Sequence, residues 1–220
     1  MVWDESEDNS DCQDFTGGGL PPSSICVLMP QDQLMTGVFR DILTRHFYSE
    51  DYIEDYSLKS LLWQPGETTN ILIESHTAWT PEKTQLRPAV IIKRNDIEYL
   101  PVGIGDIRMM PGADKQGNEH FARYWIGSHT LFCIGHTGAQ AEILGTEVKH
   151  EISHFGPEIA KKLNLKRFRV LRVGAVAELE EATETYVVPV TVGYAYEDRV
   201  VLRLNAPRLN GVSLSMILEA

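Results

Sequence analysis

Apolar residues recur along this chain in more than one rhythm. From Gln31 onward, Leu34, Val38, Ile42 and Phe47 return at helical spacing, and Met35, Phe39 and Leu43 widen the same stripe. The spacing predicts an amphipathic helix over 31–48. A polar, tyrosine-bearing stretch (49–56) and a short apolar turn (58–63) follow, closed by Gln64-Pro65-Gly66. The period then shortens to that of strands. NILIES (70–75), PAVIIKR (88–94) and DIEYLPV (96–102) are rich in β-branched and aromatic residues and are separated by turn formers. Segment 108–125, with Pro111-Gly112 and a polar tip between Met-rich and aromatic ends, reads as a long hairpin or ordered excursion. IGSHTLFCIGH (126–136) reads as a buried strand.

Helical spacing returns at Thr137, a plausible N-cap, with Ala141, Leu144, Val148, Ile152, Phe155, Ile159 and Leu163 at steps of three and four. Gly156-Pro157 inside that run predicts a break or kink. Segments 166–176 and 185–204 read as strands; Val188, Val190, Val192 and Tyr194 share one face, and Pro189 marks an edge or a bulge. The expected fold class is therefore α/β (α+β), a mixed, mainly antiparallel sheet with one long helix and the N-terminal helix packed on it. The final stretch, 205–220, is too weakly patterned to assign. Gly103-Ile104-Gly105-Asp106 lacks the third glycine of a dinucleotide fingerprint and reads as a tight turn.

Composition changes this picture mainly at the N-terminus. With 43% hydrophobic and 23% charged residues, the chain is neither a disordered polymer nor a fibrous repeat. The net charge is −11, but Asp4, Glu5, Glu7, Asp8, Asp11 and Asp14 crowd into the first 14 residues without a basic partner, which leaves −5 elsewhere. Three glycines and two prolines follow in TGGGLPPSS, so 1–24 reads as a flexible acidic arm and 25–220 as a single α/β domain. The acidic balance argues against a DNA-binding or anionic-membrane surface. Cys12, Cys26 and Cys133 show no CxxC pairing and read as free thiols of a reducing compartment. No signal peptide or membrane span is apparent, so the chain is expected in the cytoplasm of the cell that makes it.

One string carries catalytic chemistry. His150-Glu151-Ile152-Ser153-His154 matches H-E-x-x-H, in which two histidines one helical turn apart bind zinc and the glutamate acts as general base. Such a site needs a third protein ligand. Ala160 stands where a third histidine would fall, and Glu178, Glu180, Glu181 and Glu184 lie at a distance where a carboxylate ligand could occur. On a helical wheel Leu144, Val148, Ile152, Phe155 and Ile159 share one ~80° arc, and His150 and His154 lie roughly 120° or more from its centre. Both histidines are therefore expected to face solvent or a partner rather than a buried metal. His46, His76, His120, His129 and His136 show no ligand spacing and read as turn or surface residues. Without a nucleophile elbow or Cys-His context, the expectation is no enzyme and no cofactor, with a zinc hydrolase built on HEISH or a generic adaptor domain as alternatives.

Four phrases, TNILIESHTAW, LRPAVIIKRNDIEYLPVGIGD, GSHTLFCIGHTGAQAEILGTEVKHEISHFGPEI and FRVLRVGAVAELEEATETYVVPVTVGYAY, together resemble tail terminator or head-tail connector (neck) proteins of tailed bacteriophages, over 31–204. The resemblance implies an N-terminal helix before a strand set, a helix after the Ser/Thr-rich strand end at Gly127-Ser128-His129-Thr130, and a valine-rich final strand. It also implies a virion structural protein, a hexameric ring that caps the tail tube, contacts the tube and head-connector proteins, and lets DNA pass without sequence-specific binding. The acidic arm and the stretch after Leu204 depart from a minimal terminator. The polar excursion 112–119, with Asp114, Lys115 and Glu119, is the expected channel or partner loop, because it is long, glycine-bearing and without an apolar face.

Overall fold

The computed structural model describes residues 31–66, 69–80, 82–83, 87–101, 119–179 and 185–202. They form helices α1 (Gln31–His46) and α2 (Gly138–Lys162) and strands β1 (Leu72–Ser75), β2 (Ala89–Arg94), β3 (Glu98–Leu100), β4 (Glu119–Gly135), β5 (Arg167–Val173), β6 (Ala177–Glu178) and β7 (Tyr186–Leu202). The strands make one sheet in the order β1-β2-β4-β7-β5, with β3 added to β4 and β6 to β7. Only β1 and β2 are parallel, which gives the mixed, mainly antiparallel α+β class read from the sequence. The 1–24 arm, 103–106 and 205–220 lie outside the described residues.

Both helices cover the same face of the sheet. Alternation along β7 buries Val188, Val190, Val192 and Tyr194 beneath them, joined by Val90 and Ile92 of β2 and Leu131 and Cys133 of β4. The opposite face carries a smaller cluster of Leu72, Ala89, Ile91, Ile134 and Val187, flanked by Trp79 and Phe132. In α1 the buried row is Met35, Phe39 and Leu43, while Leu34 is 40% exposed and Val38 and Ile42 are half-buried. The helix is thus turned about one residue from the stripe centred on Leu34, Val38 and Ile42.

Helix α2 starts where Thr137 accepts a hydrogen bond from the Gln140 N–H at 3.2 Å. It ends at Asn164, whose φ of 49° lies in the left-handed region, with the Leu165 N–H bonded back to the Ala160 carbonyl. The expected break at Gly156-Pro157 does not occur, and the helix runs through. Pro157 and Ser153 both face solvent, so the carbonyl deprived of an N–H partner can be hydrated; Gly156 lies on the buried side against Phe168.

Of the segment expected as a hairpin or excursion, 108–118 lie outside the described residues; 119–125 open β4, which pairs antiparallel with β3 at Tyr124–Ile126 and with β7 residue by residue from Glu119↔Leu202 to Gly135↔Tyr186. The Gly127–Thr130 stretch consequently lies inside a strand rather than at its end. Strand β7 is interior, not an edge. Its Pro189 carbonyl accepts from the Gly174 N–H at 2.8 Å, and β5 has ended before Gly174 and β6 has not begun. The proline nitrogen faces that break in pairing, where no ladder bond is lost.

Close packing of α2 on the sheet depends on Gly145. A Cβ there would stand 2.9 Å from Val188 Cγ1, a stiff, fully buried side chain. Gly145→Val is expected to destabilise by about 2 kcal/mol through overpacking. Gly37→Ala, on an exposed turn of α1 with nothing within 4 Å, should stabilise by about 0.5 to 1 kcal/mol. Urea midpoints of the two variants check both signs.

Candidate functional site

Between α1 and α2 runs a groove of about 650 Å³ with an apolar floor of Val38, Ile42, Phe155, Ile159 and Leu163. At one end lies His46, the last residue of α1. Its Nε2 is 2.8 Å from Glu147 Oε1 and its Nδ1 is 3.1 Å from Glu151 Oε2, the two carboxylates standing one turn apart on α2. His46 and Glu147 are 5% and 4% exposed. Glu147 Oε1 also accepts the Glu54 N–H at 2.8 Å, which anchors the segment after α1. Burial by itself would lower the histidine's pKa, but the hydrogen bonds and charges of Glu151 and Glu147 outweigh it and raise the pKa above its ordinary value. In its protonated form the ring donates from both nitrogens, one to each carboxylate.

The central residue of the H-E-x-x-H string is engaged elsewhere. Glu151, the would-be general base, is turned to His46. His150 and His154 are exposed as the wheel places them, His150 with Nδ1 3.5 Å from Glu54 Oε2 and His154 edge-on against Phe155. Glu178 is exposed on β6, and Glu180, Glu181 and Glu184 lie outside the described residues. Among the described residues no group of three His, Cys, Asp or Glu side chains is placed to hold a metal ion. In the His46 cluster the two ring nitrogens point in opposite directions, so the three groups do not converge on one position.

A second histidine is also interior. His129 on β4, fully buried, bonds Thr36 Oγ1 of α1 through Nε2 at 2.9 Å and Tyr194 OH of β7 through Nδ1 at 3.1 Å, with Phe39 edge-on at 5.3 Å. The surface assignment of His46 and His129 is thus corrected: each joins α1 to the rest of the fold. His76 and His136 are exposed as expected, and the His120 side chain lies outside the described residues. One signal was available for the missed cluster. Glu151 falls ~20° from Leu144 at the border of the apolar arc of α2, and a carboxylate beside a buried arc requires a partner.

Of the expected channel residues, Asp114 and Lys115 lie outside the described residues, and Glu119 is the first residue of β4 rather than part of a loop tip. Burial pushes the Cys133 thiol far up, so it is protonated and no nucleophile at neutral pH. Among the described residues no helix is long and apolar enough to cross a membrane. The chain matches no protein-family model and no curated protein.

Proposed function

We propose that this chain is a structural subunit of a tailed-phage neck, a tail terminator that caps the tail tube as a six-membered ring and joins it to the head connector. The observation that carries the reading is the form of the sheet. Helices cover one face, and the strand order ends at β1 on one side and β5 on the other, two unlike edges of one protomer. Two different surfaces on one subunit are what a head-to-tail contact needs in order to repeat around an axis and close. The order of elements, helix, strands, long helix and valine-rich strand, is also the one the resemblance implies. The buried groups His46, Glu147 and His129 tie the N-terminal helix to the rest of the subunit.

In images of assembled particles the chain is expected as six copies at the tail end; another copy number, or density elsewhere, refutes the assignment. The ring must also let a polyanion slide. Mixed with double-stranded DNA at ~0.1 M salt, the protein should show no retention, and tight, steeply salt-dependent binding would contradict the reading.

A further inference from the structure

Strand β5 ends the sheet order and, among the described residues, pairs only with β7. Arg167, Arg169 and Arg172 are exposed along it, and Leu171, Val173 and Val176 are 49%, 42% and 38% exposed on and just beyond it. The bulge between Val170 and Arg172 turns Leu171 out over Gly193, where a Cβ would meet its Cδ1 at 2.5 Å. An edge of this kind is guarded against its own likeness, since β5 laid on a second β5 would set three arginines against three. It is open to a partner of opposite charge with an apolar or aromatic surface.

The chain itself carries such a surface. Segment 48–56, YSEDYIEDY, holds Glu50, Asp51, Glu54 and Asp55 and no basic residue. Tyr48, Tyr52 and Tyr56 are 66%, 62% and 88% exposed, although tyrosine is a residue that interfaces collect. The segment is held in shape beforehand. Ser49 and Asp55 cap two short 3₁₀ turns, Ile53 and Leu58 are buried in the core, and the Glu54 N–H is tied to Glu147. It lies on the helix-covered side of the sheet, its Glu54 N–H bonded to Glu147 of α2, whereas Arg167 and Arg169 alternate with Phe168 and Val170, which pack in the core under the helices, and so point to the opposite face.

We infer that β5 of one copy docks on the 48–56 segment of the next, the arginines meeting the carboxylates and Leu171, Val173 and Val176 meeting the tyrosine rings. The inference rests on the ring reading and names its contact. Because the two surfaces differ and lie apart, each copy gives one and receives one.

Two variants test it, Arg167→Glu with Arg169→Glu on the edge and Glu50→Lys with Asp51→Lys on the segment; all four side chains are exposed, and circular dichroism checks that each variant folds. Each alone should weaken self-association by at least ~10-fold in sedimentation, and combining both reversals in one chain should restore it. Mixed one to one, the two variants should associate in alternation, because both contacts between unlike chains are then matched, reversed edge on reversed segment and intact edge on intact segment. Wild-type association should also fall as salt rises from ~0.05 to ~0.5 M. If wild-type rings form and both single-surface variants form them equally well, the contact is wrong and the ring stands. If the wild type gives no closed ring in assembled particles while the reversals still abolish pairing and the combined variant restores it, the contact stands and the ring falls. Loss of association on deleting 1–24, with the segment reversal silent, would make the acidic arm the occupant and overturn the inference.

Discussion

Replacing Phe39 with alanine is expected to lower the unfolding free energy by about 3 to 5 kcal/mol. The ring is fully buried, edge-on to His129 and 6.2 Å from the Phe168 ring, so truncation opens a cavity where α1, β4 and β5 meet. Leu34→Ala, five residues earlier and 40% exposed, should change stability by less than about 1 kcal/mol. Urea unfolding of the two variants decides which row of α1 is the buried one, and equal losses would show that the helix is rotated from the orientation described.

That comparison also marks how far the sequence was legible. An amphipathic helix at 31–48 was plain, but seven apolar positions cover a stripe wide enough to hold two buried rows, and only the shape of the sheet beneath chooses between them. The buried face of β7 could be read directly, because period two leaves a single choice of face once Val188, Val190, Val192 and Tyr194 line up. The first half of β4 could not, since 119–125 has no apolar alternation of its own and becomes a strand through its pairing with β7. Pro157 illustrates a rule whose outcome depends on facing: on the solvent side of a helix its missing hydrogen bond is replaced by water. The candidate site was the least legible part. HEISH drew attention to two exposed histidines, whereas the glutamate between them serves His46, which lies 105 positions earlier in the chain.

The second large effect is expected at that tie. His46→Leu leaves Glu147 buried with only the Glu54 N–H as a partner, and the loss should be about 3 kcal/mol at pH 6. The effect has a pH signature with a definite sign. The native pKa of His46 is raised above an unfolded value of about 6.5, so the ionic part of its stabilisation is complete below that pH. It declines as the pH rises toward the native pKa and is gone above it. The stability difference between wild type and His46→Leu should therefore narrow between about pH 6.5 and the raised native value. Unfolding measured across that range checks it, and a difference that widens with pH would rule out an imidazolium between the two carboxylates.

The long ladder between β4 and β7 has a consequence for how the chain is made. By the time Gly135 has been synthesised, β4 has β2 available along one side, but its partner on the other begins only at Tyr186 and ends at Leu202. At roughly 5–20 residues per second, the ribosome needs several seconds to deliver that missing strand. Helix α2 is translated in the interval and can shield the face of β4, but not its hydrogen-bonding rim. For that time the nascent polypeptide displays an unpaired template that any extended segment nearby could occupy, so the 17-residue strand β7 acts as the closure that ends the exposure.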